Sequence, residues 1–366
     1  MMRFPGKLAL QQRVLPSYRV SLFDLLASAC ERGMSLFTGR PRRGEGIITA
    51  EGLKVAHYRA GQNIHILKDP FTLYYQRGLM KWLEDWNPAA LIMEANSRDL
   101  SLASAVKWMH GRGRPVIGWG LGASPLSGSL SAILQTRRLS FFQQFDALIA
   151  YSQRGAGEYA QLGFPRDKIF VAYNSVSPPP DFPCPARSMT FNGQPYILFV
   201  GRLQARKRID HLLRACAALA VKPRLVIVGD GPERPVLESL AKEIYPTAEF
   251  AGARHGAELK PFFTGADLFV LPGTGGLAVH EAMSHGLPVI VAQGDGTQDD
   301  LVREGNGWQI PPDDLGALVS TLEEALSDVP RLRKMGEESY RIVKEEINIQ
   351  KMVETFVQVL CLTMRK

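Results

Sequence analysis

The residues of this 366-residue chain best suited to hold a diphosphate are Gly201-Arg202-Leu203 with Lys207 and, about seventy residues later, Gly275-Gly276-Leu277-Ala278 leading to Glu281. An arginine fork and a lysine point charge neutralise phosphate oxygens in different geometries. A glycine-rich turn that opens a helix adds free N–H groups and lets the backbone come close to an anion. Glu281, a turn or so into that helix, is placed to accept hydrogen bonds from ribose hydroxyls; its plain alternative is to complement the helix dipole. Likewise Gln204 to Arg208 taken alone reads as the charged start of a helix. The chemistry implied is that of an enzyme acting on a nucleotide-linked substrate, with preorganised donors bearing the charge of a departing diphosphate.

Such residues must be positioned by the elements around them. Apolar segments alternate with amphipathic ones along the whole chain, the pattern of β-α-β units and parallel sheets. In the first half the strands expected are Leu8–Leu15, Met34–Phe37, Lys54–Tyr58, Ile64–Leu67, Ala90–Glu94, Val116–Gly118 and Ala147–Ala150, with helices near Ser21–Arg32, Thr72–Asp85, Leu100–Gly111 and Ser127–Gln144. Proline density rises over residues 174–195, which reads as an interdomain connection. A second alternation starts at Tyr196–Val200 and runs through strands Arg224–Val228, Leu268–Leu271 and Pro288–Val291, with helices Ile209–Leu219, Arg234–Glu243 and Val279–Ser284. Three helices close the chain, near Asp314–Leu326, Val329–Val343 and Ile349–Thr363. The fold class expected is therefore α/β, two doubly wound parallel-sheet domains, over residues 1–185 and 186–345. Residues 346–366 form a terminal helix expected to return to the first domain. In open parallel sheets ligands sit beyond the carboxyl ends of the strands, so function is to be sought in the loops that follow them.

Composition narrows the class of partner. With 45% hydrophobic and 22% charged residues the chain has the balance of a globular protein, and no run reaches the roughly 18 apolar residues a spanning helix needs. The expected place is the cytoplasm, with a peripheral position at the inner face of the membrane left open. Cys30, Cys184, Cys216 and Cys361 form no CxxC pair, so neither a zinc site nor a disulfide framework is indicated. The net charge of +7 is uneven: residues 1–180 carry 22 Lys and Arg against 12 Asp and Glu, and the remainder 21 against 24. The first half is thus expected to meet something anionic, a membrane surface or a lipid-linked phosphate rather than nucleic acid, for which no recognised module is present. Its densest basic run, Arg40-Pro41-Arg42-Arg43 beside Gly44 and Gly46, reads first as a solvated loop.

The order GRL…K, GDGPE, FxG, ADLFVLP and GLAVxEAMxxGLPVI over residues 196–310 resembles the C-terminal domain of GT-B glycosyltransferases, specifically the large retaining family numbered four, glycosyl transferases group 1. The resemblance implies two Rossmann-like domains facing an interdomain cleft. It implies sugar transfer, with retention, from a nucleotide-diphosphate sugar to a saccharide or lipid-linked acceptor in cell-envelope or exopolysaccharide synthesis. No cofactor and no metal are expected. Carried over by position, Arg202 and Lys207 bind the diphosphate, Gly275, Gly276, Leu277 and Ala278 lie against the phosphates, Glu281 holds the ribose, and Gly201 and Thr274 belong to the same donor site. Arg254 ends a turn, Phe250–Arg254, that receives the nucleobase. One departure stands out. Eight residues before Glu281, where the family carries its first glutamate, this chain has Gly273, and Thr274 is the nearest polar substitute.

The first half matches the family less closely. In place of a Gly-Gly loop after the first strand it has Leu15-Pro16-Ser17-Tyr18-Arg19, so Tyr18 and Arg19 are expected to face the cleft, unless Arg19 pairs with a nearby acid. Glu94-Ala95-Asn96-Ser97-Arg98 and Trp119-Gly120-Leu121-Gly122 are the other loops in that position. Asn96 and Trp119 are accordingly acceptor-side candidates, though Trp119 suits a core equally well. His280 and His285, flanking the donor helix, read as structural. Two alternatives stay open: a GT-B-fold epimerase that needs no acceptor, and a non-catalytic homologue that binds nucleotide or saccharide.

Overall fold

The computed structural model describes residues 2–42, 45, 47–66, 72–124, 131–275, 277–294 and 298–364. It contains two compact units, residues 1–178 with 349–366, and residues 179–348.

The first unit is built on seven parallel strands and a separate hairpin. In chain order these are β1 (Leu8–Val14), β2 (Met34–Gly39), β3 (His57–Ala60), the hairpin strands β4 (Gln62–His65) and β5 (Tyr74–Arg77), then β6 (Ala90–Glu94), β7 (Val116–Gly120), β8 (Ala147–Ala150) and β9 (Ile169–Val171). The sheet order is β3-β2-β1-β6-β7-β8-β9. Runs such as Ala-Leu-Ile-Met are apolar at successive positions because both faces of a parallel sheet are covered, and alternate residues go to opposite cores. Leu8, Leu10, Ile92, Ile117 and Trp119 pack with Phe23 of helix Val20–Ser28 and with Ile349, Phe356 and Leu360 of helix Ile349–Thr363. Ala9, Leu91, Met93 and Val116 pack on the other side with Trp82, Leu83, Met109 and Tyr159.

Several boundaries differ from expectation, one of them for a local reason. The helix expected over Thr72–Asp85 is split into β5 and a helix at Leu79–Trp86, because Gly78 between them has a left-handed φ of 94°. A left-handed residue cannot sit inside a right-handed helix, and glycine takes that region at no steric cost. The strand expected at Ile64–Leu67 is instead β4, antiparallel to β5, with Leu67 outside the described residues. The strand expected at Lys54–Tyr58 begins at His57, helix Gln153–Leu162 and β9 were not anticipated, and the helix expected from Ser127 runs over Ser131–Phe142, with residues 127–130 outside those described.

The second unit has six parallel strands: β10 (Tyr196–Val200), β11 (Arg224–Val228), β12 (Glu249–Gly252), β13 (Leu268–Leu271), β14 (Val289–Ala292) and β15 (Gly307–Ile310), ordered β12-β11-β10-β13-β14-β15. Helices Ile209–Ala218, Arg234–Ile244, Ala278–Ser284, Leu315–Ser327 and Val329–Glu345 connect or follow them. The last two start cleanly because Asp314 and Asp328 cap them, accepting from the N–H of Ala317 at 2.8 Å and of Arg331 at 2.9 Å. The expected α/β class with two Rossmann-like parallel-sheet domains is the one found. Each sheet reverses its winding once, between β1 and β6 in the first unit and between β10 and β13 in the second. Crevices at such reversals are where open sheets take ligands.

Candidate active site

The second unit's reversal is flanked by the loops after β10 and β13. The first of these turns at Gly201, whose N–H donates to the Val228 carbonyl at 2.9 Å, and Leu203 N–H donates to Asp230 O at 2.9 Å. A Cβ on Gly229 or Gly231 would run into the Gly201 or Leu203 carbonyl. The Gly-Asp-Gly turn therefore serves as a bed on which the loop after β10 lies. Pro232 precedes the following helix, Arg234–Ile244, whose first turn carries Pro235.

Beyond Leu203 the chain makes a short 3-10 turn, Ala205–Lys207, and enters its helix through Arg208 at a left-handed φ of 53°. Ion pairs to Asp210, at 3.2 Å, and to Asp313 hold that side chain. The loop after β13 lies directly on this turn. Thr274 N–H donates to Arg206 O at 3.0 Å, Arg206 Nη1 donates to Thr274 O at 3.0 Å, and Lys207 Nζ donates to Thr274 O at 2.8 Å and to Gly275 O. The contact requires Gly273, since a Cβ there would collide with the backbone of Arg206 and Lys207.

Lys207 is 5% exposed, and burial, with a smaller contribution from the Arg206 charge, brings its pKa down to about 8. Backbone carbonyls solvate the ammonium, but among the described residues no carboxylate pairs with it, and an incoming anion would relieve that condition. Arg202 is exposed, so the two cations singled out from sequence stand in different environments. Arg206, held on the Thr274 carbonyl and on Gln204 Oε1 at 3.1 Å, is a third cation that the sequence reading passed over. Its adjacency to Lys207 was the available signal.

Thr274 is exposed and faces Lys207 through its carbonyl, Leu277 is exposed, and Ala278 begins its helix half-buried. Gly276 lies outside the described residues. Glu281 is partly buried, and burial raises its pKa. Arg254 is exposed beyond β12. His280 is buried with Nε2 2.7 Å from Ile347 O, and His285 stacks on Phe263 with Nδ1 3.0 Å from Glu281 O; both are structural, and burial lowers both pKa values. Among the described residues no group of three His, Cys, Asp or Glu is placed to hold a metal ion.

In the first unit Tyr18 is exposed and Asn96 sits half-buried in the turn after β6, where its side-chain oxygen accepts from Arg98 N–H at 3.1 Å. Trp119 is a correction. Its strand runs to Gly120 rather than ending at Gly118, so Trp119 shares the inward parity of Ile117 and is fully buried against Phe23, Tyr151 and Phe356. It offers no surface to an acceptor. Arg19, expected to face the cleft or to pair with a nearby acid, is 7% exposed and packs on that same tryptophan, with Nη2 donating to Asn174 Oδ1 at 2.6 Å.

Residues 194–328 match the model of the family described as Glycosyl transferases group 1. The second unit carries a glycosyltransferase group 1 domain. Over 123 residues the chain is 42% identical to a GDP-mannose-dependent alpha-mannosyltransferase of Mycobacterium tuberculosis, a match spanning 33% of this chain and 31% of that protein. It is 24% identical over 297 residues to the lipopolysaccharide core biosynthesis glycosyltransferase LpsE of Rhizobium meliloti, covering 76% of this chain and 87% of that one. Among solved structures, Anabaena Alr3699/HepE in complex with UDP superposes with a TM-score of 0.69 at 16% identity, over 97% of this chain and 99% of the other. The fold of the group 1 domain and its partner unit is that of GT-B glycosyltransferase structures.

Proposed function

We propose that this chain transfers a sugar, with retention, from a nucleotide-diphosphate sugar to a saccharide or lipid-linked saccharide acceptor in cell-envelope or exopolysaccharide synthesis. The observation that carries the proposal is the buried Lys207 ammonium, fixed beside the β10/β13 reversal by the Thr274 and Gly275 carbonyls and, among the described residues, paired with no carboxylate. An ammonium so placed stabilises charge that develops on a leaving diphosphate without having to reorganise. Arg202, exposed at the same loop, supplies a forked donor from the solvent side, and Arg206 tethers the two loops. The acceptor hydroxyl then attacks the anomeric carbon on the face from which the diphosphate departs, passing its proton to that diphosphate. Relatives named for lipopolysaccharide core and colanic acid synthesis support the pathway class.

A thermal-shift screen over nucleoside diphosphates and their sugars tests the donor half directly. A true donor at 100 times its Kd is expected to add about 2.7 kcal/mol of stability, and the absence of any shift across the screen would sink the reading. Within it, Glu281→Gln is expected to weaken nucleoside diphosphate binding about tenfold by replacing a charge-assisted hydrogen bond with a neutral one. Calorimetric titration checks this, and an unchanged Kd would remove Glu281 from the ribose site.

A further inference from the structure

The first unit buries a cation that its own fold leaves unneutralised. Arg19 ends the short turn Ser17–Arg19 that follows β1, beside the β1/β6 reversal, the position at which this sheet would take a ligand. Its guanidinium carbon lies 5.1 Å from the Trp119 ring centroid, 5.6 Å from that of Tyr18 and 5.7 Å from that of Tyr151. Nη2 donates to Asn174 Oδ1, whereas Nη1 is buried and has no hydrogen-bond partner among the described residues. Among the described residues no carboxylate comes within ion-pairing distance of it. A buried charge is ordinarily paired, and removing a charged donor from water with nothing to receive its hydrogens is costly. The aromatic faces offset part of that cost by cation–π attraction but accept none of it as a directed hydrogen bond. An arrangement that keeps a guanidinium desolvated, rigid and short of an acceptor suits an oxyanion arriving from outside.

Of the three rings, Trp119 is fully buried and Tyr151 half-buried, whereas Tyr18 is 46% exposed. Resting on the transferase reading above, we propose that Arg19 recognises the acceptor by pairing with an oxyanion, a phosphate or a carboxylate, that the acceptor carries, and that the Tyr18 ring is the cover that swings aside to admit it. The excess of 22 Lys and Arg over 12 Asp and Glu in residues 1–180 draws an anionic ligand toward this unit.

The test titrates glucose 1-phosphate, glucuronate and neutral glucose into the full chain carrying Lys207→Ala, which removes the buried cation of the second unit from the reading. The anionic sugars are expected to bind at least tenfold more tightly than glucose, and adding Arg19→Gln is expected to abolish that preference. Vesicles of phosphatidylglycerol in phosphatidylcholine form a second arm. Arg19-dependent retention on them, with no binding of the soluble anions, would assign the same oxyanion to a lipid headgroup. Equal affinity for glucose and glucose 1-phosphate, anion binding that survives Arg19→Gln, or no anion bound in either arm overturns the proposal. Should Arg19→Gln not fold, Tyr18→Ala at its exposed position decides: anion association is expected to accelerate at least threefold, and an unchanged rate overturns the cover. Nucleoside diphosphate binding, titrated separately into the unsubstituted chain, tells the two readings apart. If it is intact while Arg19 proves irrelevant, only the Arg19 assignment falls; if it is absent, the transferase reading falls with it.

Discussion

Lys207→Ala is expected to cut sugar transfer by about 100- to 1,000-fold, the usual cost of removing one preorganised donor from developing oxyanion charge. Initial rates of nucleotide release with donor and acceptor present would measure it, and turnover within a few-fold of the unsubstituted chain would exclude Lys207 from the chemistry. The loss should fall mainly on kcat, because the leaving diphosphate carries more charge in the transition state than in the bound donor. The same lysine predicts a pH dependence. Burial brings its pKa down to about 8, so in the free protein the ammonium is lost as pH rises through that value, and a bound diphosphate pulls the pKa back up. Nucleoside diphosphate affinity is therefore expected to fall above about pH 8, with proton uptake on binding there, and the Lys207→Ala variant should show neither. The stability consequence has the opposite sign. Between about 8 and the model-compound value of 10.5 the unfolded lysine binds more protons than the folded one, so stability rises with pH across that window.

Gly273→Glu, which restores the carboxylate that the resemblance leads one to expect, is expected to destroy activity rather than improve it. Any side chain at 273 drives its Cβ into the backbone of Arg206 and Lys207, and backbone cannot step aside as a flexible side chain can. Overpacking of that kind costs about 1–3 kcal/mol in stability, and relief would lift the loop after β13 off the turn after β10. The carbonyls of Thr274 and Gly275 would then leave the Lys207 ammonium. A misplacement of about 1 Å in a positioning group already costs on the order of 100-fold in rate, so both thermal stability and transfer should drop together. Gly273→Ala should show the same losses, because the collision begins at Cβ. A Gly273→Glu variant as stable and active as the original would show that the two loops do not pack this way. On this account the absent glutamate is a consequence of loop packing: two backbones meet at residue 273, and only glycine fits between them.

How much of this was legible beforehand depended on the range of the forces involved. Strands such as Tyr196–Val200, Ala90–Glu94 and Ala147–Ala150 were placed to the residue, because a run buried on both faces is recorded in consecutive apolar side chains. The hairpin of β4 and β5 was missed because its decisive feature is one backbone angle, at Gly78, inside a stretch with respectable helical periodicity. Trp119 reads from sequence as a loop residue, but β7 continues two residues past its expected end, and with a period of two the same residue changes from exposed to buried according to where the strand stops.

By itself the sequence determined the α/β class, the alternation that builds two parallel sheets, and the clustering of glycines and cations after β10 and β13. These follow from periodicity and from residue chemistry, both of which are local. Tertiary structure alone decided what each of those residues touches. Lys207 became a buried ammonium on two carbonyls while Arg202 stayed in solvent, Arg206 joined the site, and Gly273 proved to be a point of backbone contact. Arg19 was buried against the Trp119 ring, with Nη1 lacking a hydrogen-bond partner among the described residues. Each of these results from segments tens to more than a hundred residues apart being brought within a few ångströms, and local periodicity carries no record of which distant backbone or ring will arrive at a given side chain.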